Sequence, residues 1–179
     1  MKRAMYMMLF VTLVSGCMQA GIYQPGSNTV ALKQYKGSKL VLATLDLATS
    51  YNSSCRLLRS IEPGNGLTIT QYIQNAFNDE FKLANLYDNE QGVKITGRLD
   101  KIEFSSFSGW NSGWWDIGIT LQSPNGRTLS VKNRYNFKIP MTSYGSYTAC
   151  DTTAQALTPA VQGLINKTIN DPMFAMLLM

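Results

Sequence analysis

Histidine is absent from this chain of 179 residues, and cysteine occurs only three times. Histidine is the side chain most often used for general acid–base catalysis, and zinc and copper sites depend on histidine and cysteine ligands. The sequence also lacks a Gly-x-Ser-x-Gly elbow, a P-loop and a dinucleotide-binding fingerprint, and its carboxylates are scattered. We therefore expect a protein that is not an enzyme and that holds neither a metal ion nor a cofactor.

A strong positive charge is also missing. The formal net charge is +5, from 16 Lys and Arg against 11 Asp and Glu. Two of the cations, Lys2 and Arg3, lie in the N-terminal segment, and without them the formal charge is +3. No cluster of Lys and Arg resembles the stripes that follow nucleic-acid phosphates. The composition therefore argues against a nucleic-acid partner.

The first residues have the composition of a secretory signal. A positive head is followed by an apolar run over residues 5–14, which only Thr12 interrupts. This run is too short to span a membrane as a helix, and small residues follow it. We interpret residues 1–16 as a signal peptide.

The small residues lead directly to a cysteine. Val14, Ser15, Gly16 and Cys17 together resemble the bacterial lipobox, the motif of the prolipoprotein pathway. The resemblance implies that Cys17 becomes the first residue of the mature protein and carries acyl chains that anchor it to a membrane. Several acyl chains hold a protein far more tightly than one, because each buried CH₂ contributes about 0.8 kcal/mol. The alternative is an ordinary secretory peptide that happens to contain a cysteine.

The other two cysteines are Cys55 and Cys150. Disulfides form in exported proteins, so two remaining cysteines are a natural pair. A bridge between them would close a loop of about 95 residues, which the chain-entropy model values at about 4–5 kcal/mol. Two separate buried thiols are the alternative.

Composition divides the mature chain into two parts. Residues 17–38 are rich in Gln, Gly, Ser, Asn and Lys, and they predict a lipidated N-terminus with a flexible tether that contains at most a short strand near Thr29–Leu32. Residues 39–179 are expected to form a single domain.

Hydrophobic periodicity predicts the first elements of that domain. Leu40–Leu47 is a dense apolar run typical of a strand buried on both faces. Residues 68–88 repeat apolar side chains at spacings of three and four, which predicts an amphipathic helix. Thr68 and Gln71 fit a capping box at its start.

Three alternating segments predict an antiparallel meander. They begin near Val93, Trp115 and Leu129, and the third ends at Pro140. The alternation slips by one residue at positions 100–101, which indicates a β-bulge.

A second amphipathic helix follows from Asp151 onward. Pro159 predicts either a kink in this helix or a start with Thr158 as the cap. The predicted order is β-α-β-β-β-α. We expect a two-layer α+β fold, an antiparallel sheet of about four strands with both helices on one face.

The chain's three tryptophans lie within residues 104–115, among Ser and Gly. Strand alternation places Trp115 in the core, Trp114 on the opposite face and Trp110 on the connecting loop. Tyr144 and Tyr147 lie on another loop that we expect nearby. Clustered Trp and Tyr outside a core are typical of binding surfaces, so these four outer aromatics are our predicted partner-binding residues. The alternatives are a hairpin packed by its own aromatics, or a Trp114 covered by the tether.

The order of elements resembles that of small outer-membrane lipoproteins of the YajG type and of the transport-auxiliary lipoproteins. The resemblance lies in the strand at Leu40, the helix at Ile69 and the helix over residues 154–165. It implies a non-enzymatic role in envelope assembly or transport. Met18 and Gln19 follow the cysteine, and under the enteric sorting rule the lack of Asp there implies the outer membrane, with the domain facing the periplasm.

The sequence therefore predicts a lipid-anchored accessory protein that binds another component of the cell envelope. One alternative is a periplasmic inhibitor or immunity protein. Another is a glycan or small-ligand binder that uses the tryptophan-rich loop.

Overall fold

The computed structural model describes residues 17–56, 59–109, 111–140 and 146–179. Among these residues no helix is both long enough and apolar enough to cross a membrane. Within the described ranges the strands are β1 Met18–Gln19, β2 Leu40–Leu47, β3 Ser54–Cys55, β4 Arg59–Glu62, β5 Val93–Ser105, β6 Ser112–Gln122 and β7 Thr128–Lys138. The α-helices of the same ranges are α1 Thr29–Leu32, α2 Ile69–Leu83, α3 Ser146–Gln155, α4 Leu157–Asn170 and α5 Pro172–Leu177, and short 3₁₀ turns occupy Lys33–Tyr35 and Gly64–Gly66.

The larger sheet has four strands in the order β2-β5-β6-β7. Helices α2 and α4 contact opposite edges of this sheet and also each other, so they cover the same face. The predicted α+β class, with a four-stranded sheet under two helices, is confirmed. A second sheet of three short strands, β1, β4 and β3, was not predicted. The prediction of an entirely antiparallel larger sheet is also wrong, because β2 pairs with β5 in parallel. A parallel pair requires a crossover connection, and the chain between these strands contains α2.

Helix α2 begins where its sequence predicts. The Thr68 hydroxyl accepts a hydrogen bond from the Gln71 amide, and the Gln71 side chain accepts one from the Thr68 amide, which completes the capping box. The helix ends at Leu83, short of the predicted residue 88. Asn85 has φ of 58°, and the next amide, that of Leu86, turns back to the Phe81 carbonyl. This left-handed residue stops the helix.

The predicted β-bulge is present in β5. The register with β6 shifts between Leu99 and Lys101. As a result Leu99 and Ile102 are both buried, although an unbroken strand would place them on opposite faces. The bulge keeps the long strand's inner face apolar on both sides of the slip.

The predicted flexible tether is wrong. Met18 and Gln19 pair in parallel with Ile61 and Glu62 of β4. Further along, Leu32 is completely buried, in a helix rather than a strand. The apolar side chains of residues 17–38 are few and follow no single helical or strand period, so composition did not reveal their burial. The segment is part of the folded domain.

A buried carboxylate fastens this N-terminal segment to α2. Glu80 has no exposed surface, and its carboxylate accepts hydrogen bonds from the Tyr23 hydroxyl at 2.8 Å, the Asn28 amide group at 3.3 Å and the Gly26 backbone at 3.2 Å. Burial, followed by the hydrogen bond to Glu80, raises the pKa of Tyr23 above its usual value. The phenol therefore remains a donor at neutral pH.

The last long helix starts two residues before the start drawn from Pro159. Helix α3 ends at Gln155, and α4 begins after Ala156 rather than after Thr158. Pro159 then lies in the first turn of α4, where amides have no acceptor within the helix. The chain thus accommodates Pro159 without losing a hydrogen bond. Asp171 caps α5 by accepting from the Met173 amide, with proline at the first helical position.

Candidate functional site

Cys17 lies at the edge of the smaller sheet, which has the order β1-β4-β3. Its thiol is free and exposed, and the Ser60 hydroxyl lies 3.3 Å from its sulfur. Because β1 runs parallel to β4, the chain reaches β1 from the end at which β4 begins. At that end β3 finishes at Cys55 and β4 begins at Arg59, and we call it the tip of the β3–β4 hairpin. Cys17 is therefore accessible and lies beside this tip.

A disulfide fixes the same hairpin to the helical layer. Cys55 of β3 lies opposite Arg59 of β4 and is bonded to Cys150 of α3, with the two Cα atoms 6.0 Å apart. Both cysteines are buried. The small sheet that carries Cys17 is thus held to α3 covalently.

Arginine and aromatic side chains surround the hairpin tip. The Arg59 guanidinium lies over the Tyr147 ring, 5.0 Å from its centroid, and Tyr147 is 59% exposed. The Arg56 guanidinium donates to the Ser106 carbonyl at 3.1 Å. The next residue, Phe107, is 70% exposed. We call the group formed by Cys17, Arg56, Arg59, Phe107 and Tyr147 the Cys17 end.

Trp114 lies on the outer face of the larger sheet, away from the helices. Its ring is half-buried under the Arg134 guanidinium, which lies 4.2 Å from the ring centroid. Arg134 also lies 3.8 Å from the Asp116 carboxylate, which Lys101 contacts at 2.9 Å. The hydrogen bond to Asp116, followed by that to Glu103, raises the pKa of Lys101. Trp114 thus belongs to a charged network that holds its ring in place on an otherwise polar face.

Trp115 is fully buried, as strand alternation predicts. Its indole nitrogen donates to the Thr153 carbonyl at 2.8 Å, which ties β6 to α3. The ring of Phe104 packs against it, with centroids 4.8 Å apart. Trp115 is therefore a core residue that joins the two layers.

The structure separates two of the predicted partner-binding aromatics. Trp114 lies on the outer face of the sheet, whereas Tyr147 lies on α3 in the helical layer. Trp110 and Tyr144 lie outside the described residues. Trp114 and Tyr147 therefore lie on different layers of the fold, because adjacent positions of β6 face opposite layers and the outer one holds Trp114.

Sequence reasoning missed the cations that accompany these aromatics. Arg134 occupies an outward position of β7 opposite Asp116, which makes it the diagonal neighbour of Trp114 on β6. Correct pairing of the predicted hairpin would have revealed this contact. Arg56 and Arg59 could not be found in this way, because their neighbours Ser106 and Tyr147 are remote in sequence.

The described part of the chain contains no group of three His, Cys, Asp or Glu side chains placed to hold a metal ion. The buried carboxylate of Glu80 accepts hydrogen bonds from neutral groups of its own chain. Asp116 is bound by Lys101, and Asp46 lies exposed on the strand opposite Arg98. These carboxylates have structural or solvent-facing roles.

Comparison with known proteins gives a fold and no family. No family model matches the chain, and no curated protein matches it in sequence. Among solved structures, a Xanthomonas campestris protein assigned to the family DUF330 is similar, with a TM-score of 0.50 and 10% identity over 86% of this chain and 95% of that one. The rare lipoprotein B from Shewanella oneidensis aligns at a TM-score of 0.39 and 10% identity, over 78% of this chain and 93% of that one. The first likeness shows a shared fold, and the second is too weak to support a conclusion.

Proposed function

We propose that the protein is a lipid-anchored accessory protein of the bacterial cell envelope, which binds another envelope component and catalyses no reaction. The observation that carries this proposal is the place of Cys17. The lipobox cysteine is exposed and lies at the edge of the fold, where acyl chains can be attached without disturbing the core. A cysteine that served only packing would be buried, as Cys55 and Cys150 are.

The outer face of the larger sheet is the surface that we assign to the partner. In the described part of the chain the helices pack on the other face, and the outer side chains include Trp114 under Arg134. Tryptophan and arginine are enriched among the residues that dominate binding energy at protein interfaces. The ion pairs of Asp116 hold this pair in place before a partner arrives, which lowers the entropy lost on binding.

The proposed location is the outer membrane, with the domain facing the periplasm. It is supported by the residues after the cysteine, Met18 and Gln19, neither of which is the Asp that favours retention in the inner membrane. The sequence resemblance to YajG-type and transport-auxiliary lipoproteins supports a role in envelope assembly or transport. The shared fold with the DUF330 protein is compatible with this assignment.

Protein binding is preferred to glycan or small-ligand binding. Three clefts in the described part of the chain have volumes of about 140, 380 and 510 Å³, and none of the three is lined by Trp114 or Tyr147. A small ligand needs a concave site, whereas an exposed sheet face suits a protein partner. An inhibitor or immunity protein would use the same kind of surface, and the identity of the captured partner distinguishes it.

The anchoring part of the proposal is tested with Cys17→Ser. The variant lacks the acceptor thiol, so it should leave the membrane fraction and lose palmitate labelling. A Cys17→Ser protein that stays labelled and membrane-bound would rule out the lipoprotein assignment.

The binding part is tested by crosslinking in intact envelopes, followed by affinity capture. Trp114→Ala should recover several-fold less partner than the parent protein. Gln122→Ala changes an exposed side chain on the same strand and face, so it is the matched control. Equal recovery from both variants would place the partner surface elsewhere.

A further inference from the structure

We propose that the Cys17 end is a membrane-docking face that rests on the phospholipid headgroups of the membrane holding the acyl chains. The inference deepens the proposed function and rests on lipidation of Cys17. It assigns the surface around the anchor to lipid, and it leaves the outer face of the sheet to the protein partner.

The first argument is the absence of a linker after Cys17. Met18 is the first residue of β1 and is 5% exposed, and the Ala20 amide donates to the Glu62 carbonyl at 2.9 Å. A flexible tether of 20 residues would have allowed the domain to stand about 25 Å from its anchor. The structure instead fixes the residue after the anchor in a sheet. Acyl chains on Cys17 therefore hold the neighbouring surface at the membrane.

The second argument is that separate segments present their ends at this same place. β1 and α3 run in the same direction. The start of α3 lies near Cys17, because Tyr147 contacts Arg59. The far end of α3 lies near the residues that follow β1, because the Thr158 hydroxyl, three residues beyond α3, donates to the Gly21 carbonyl at 3.4 Å. The β3–β4 hairpin tip and the start of α3 are thus at one end with the anchor. Arg56 brings the loop after β5 to the same end through Ser106.

The third argument is the chemistry of the side chains around Cys17. Arg56 and Arg59 are both half-buried, and they bring two guanidinium groups to this end, the planar cations whose fork of donors matches phosphate oxygens. Tyr147 is 59% exposed and Phe107 is 70% exposed. Aromatic rings are favoured at the boundary between headgroups and acyl chains. Cations beside exposed rings are the combination that an anionic bilayer surface binds.

Carboxylates lie further into the domain along the same segments. Glu62 is three residues beyond Arg59 in β4, and Asp151 is one helical turn beyond Tyr147 in α3. Both β4 and α3 lead away from the hairpin tip at these points. The positive groups are therefore nearer to the membrane than the negative ones along each of these elements.

The experiment measures how deeply two positions enter the bilayer. The lipidated full-length protein is reconstituted into vesicles of phosphatidylethanolamine and phosphatidylglycerol, with a spin label at Phe107→Cys. A label at Thr128→Cys is the matched control, because this exposed residue follows the β6–β7 turn at the opposite end of the sheet. Collision rates with oxygen and with a water-soluble nickel complex report the depth of each label.

We expect the label at position 107 to collide with oxygen several-fold more, relative to nickel, than the label at position 128. Vesicles of phosphatidylcholine alone, or the double change Arg56→Gln and Arg59→Gln, should reduce that difference. Equal aqueous accessibility at both positions on anionic vesicles would overturn the docking face and make this end a surface for protein.

Flotation of the vesicles separates this outcome from failure of the proposed function. Protein that floats with the vesicles and carries acyl chains by mass, yet shows aqueous labels, contradicts the docking face alone. Protein that neither floats nor carries acyl chains contradicts both the lipid anchor and the docking face.

Discussion

The Tyr23 hydroxyl donates a 2.8 Å hydrogen bond to the Glu80 carboxylate, although 57 residues separate the two in sequence. Both side chains are buried. The bond joins the segment that follows Cys17 to α2. A stretch that composition marks as a linker is thereby tied to the core.

Replacing Glu80 by alanine should destabilise the protein by about 3 kcal/mol, because three donors lose their acceptor inside the fold. Glu80→Gln keeps one oxygen acceptor and should cost less. Urea denaturation measures both changes. Asp79→Ala is the control, since its ion pair with Lys82 is exposed and should be worth less than about 1 kcal/mol. Equal losses from Glu80→Ala and Asp79→Ala would contradict the role assigned to Glu80.

Alkaline pH should weaken the contact between Tyr23 and Glu80. The pKa of Tyr23 is raised above its usual value near 10 by burial and then by Glu80. The folded state thus retains the proton that the unfolded chain loses, so stability is complete below pH 10 and falls as pH rises above it. One such group changes the unfolding free energy by at most about 1.4 kcal/mol per pH unit. Tyr23→Phe should flatten the decline in urea titrations at several alkaline pH values, and an unchanged slope would oppose this account.

The disulfide should be present in the exported protein. Cys55 and Cys150 would then resist alkylation until a reductant is added, and their peptides would be linked in mass spectra. Changing both to serine should lower stability by about 4–5 kcal/mol if loop entropy dominates, since 95 residues separate them. Free alkylation of both thiols in the folded, unreduced protein would refute the bridge.

Neighbouring tryptophans should respond differently to truncation. Trp115→Ala removes a fully buried ring and its bond to Thr153, so we expect a loss of about 3–5 kcal/mol. Trp114→Ala removes a half-buried ring stacked on Arg134, which is worth about 1 kcal/mol. Melting temperatures measure the contrast. If Trp114→Ala melts as early as Trp115→Ala, the outer face is packed rather than open.

Local sequence patterns predicted the elements whose signals lie within a few residues. The Thr68 capping box, the bulge after Leu99 and the burial of Trp115 each follow from spacing or alternation alone. The parallel pairing of β2 with β5 did not follow, because a buried strand reads the same in either direction.

The docking of residues 17–38 was hidden for a different reason. Its partners, such as Glu80 and Gln162, are far away in sequence, and hydrogen bonds to them leave no periodic pattern. The composition of the segment is that of a linker, yet a few buried apolar side chains and long-range hydrogen bonds attach it to the domain. Strand alternation was enough to place Trp114 and Trp115 on opposite faces of β6. The positions of Arg56 and Arg59 at the Cys17 end could not be predicted, because their contacts are with residues far away in sequence.

The attachment of the N-terminal segment to the last long helix sets the order in which the protein can fold. The Gly21 carbonyl accepts from Thr158 and the Gln24 carbonyl from Gln162, across 137 and 138 residues. Contacts of such separation carry a large loop-closure cost and slow the approach to the native state. A chain synthesised from its N-terminus makes the first partner long before the second exists. Residues 18–24 are therefore made long before α4, yet they can complete their native contacts only after α4 has been made.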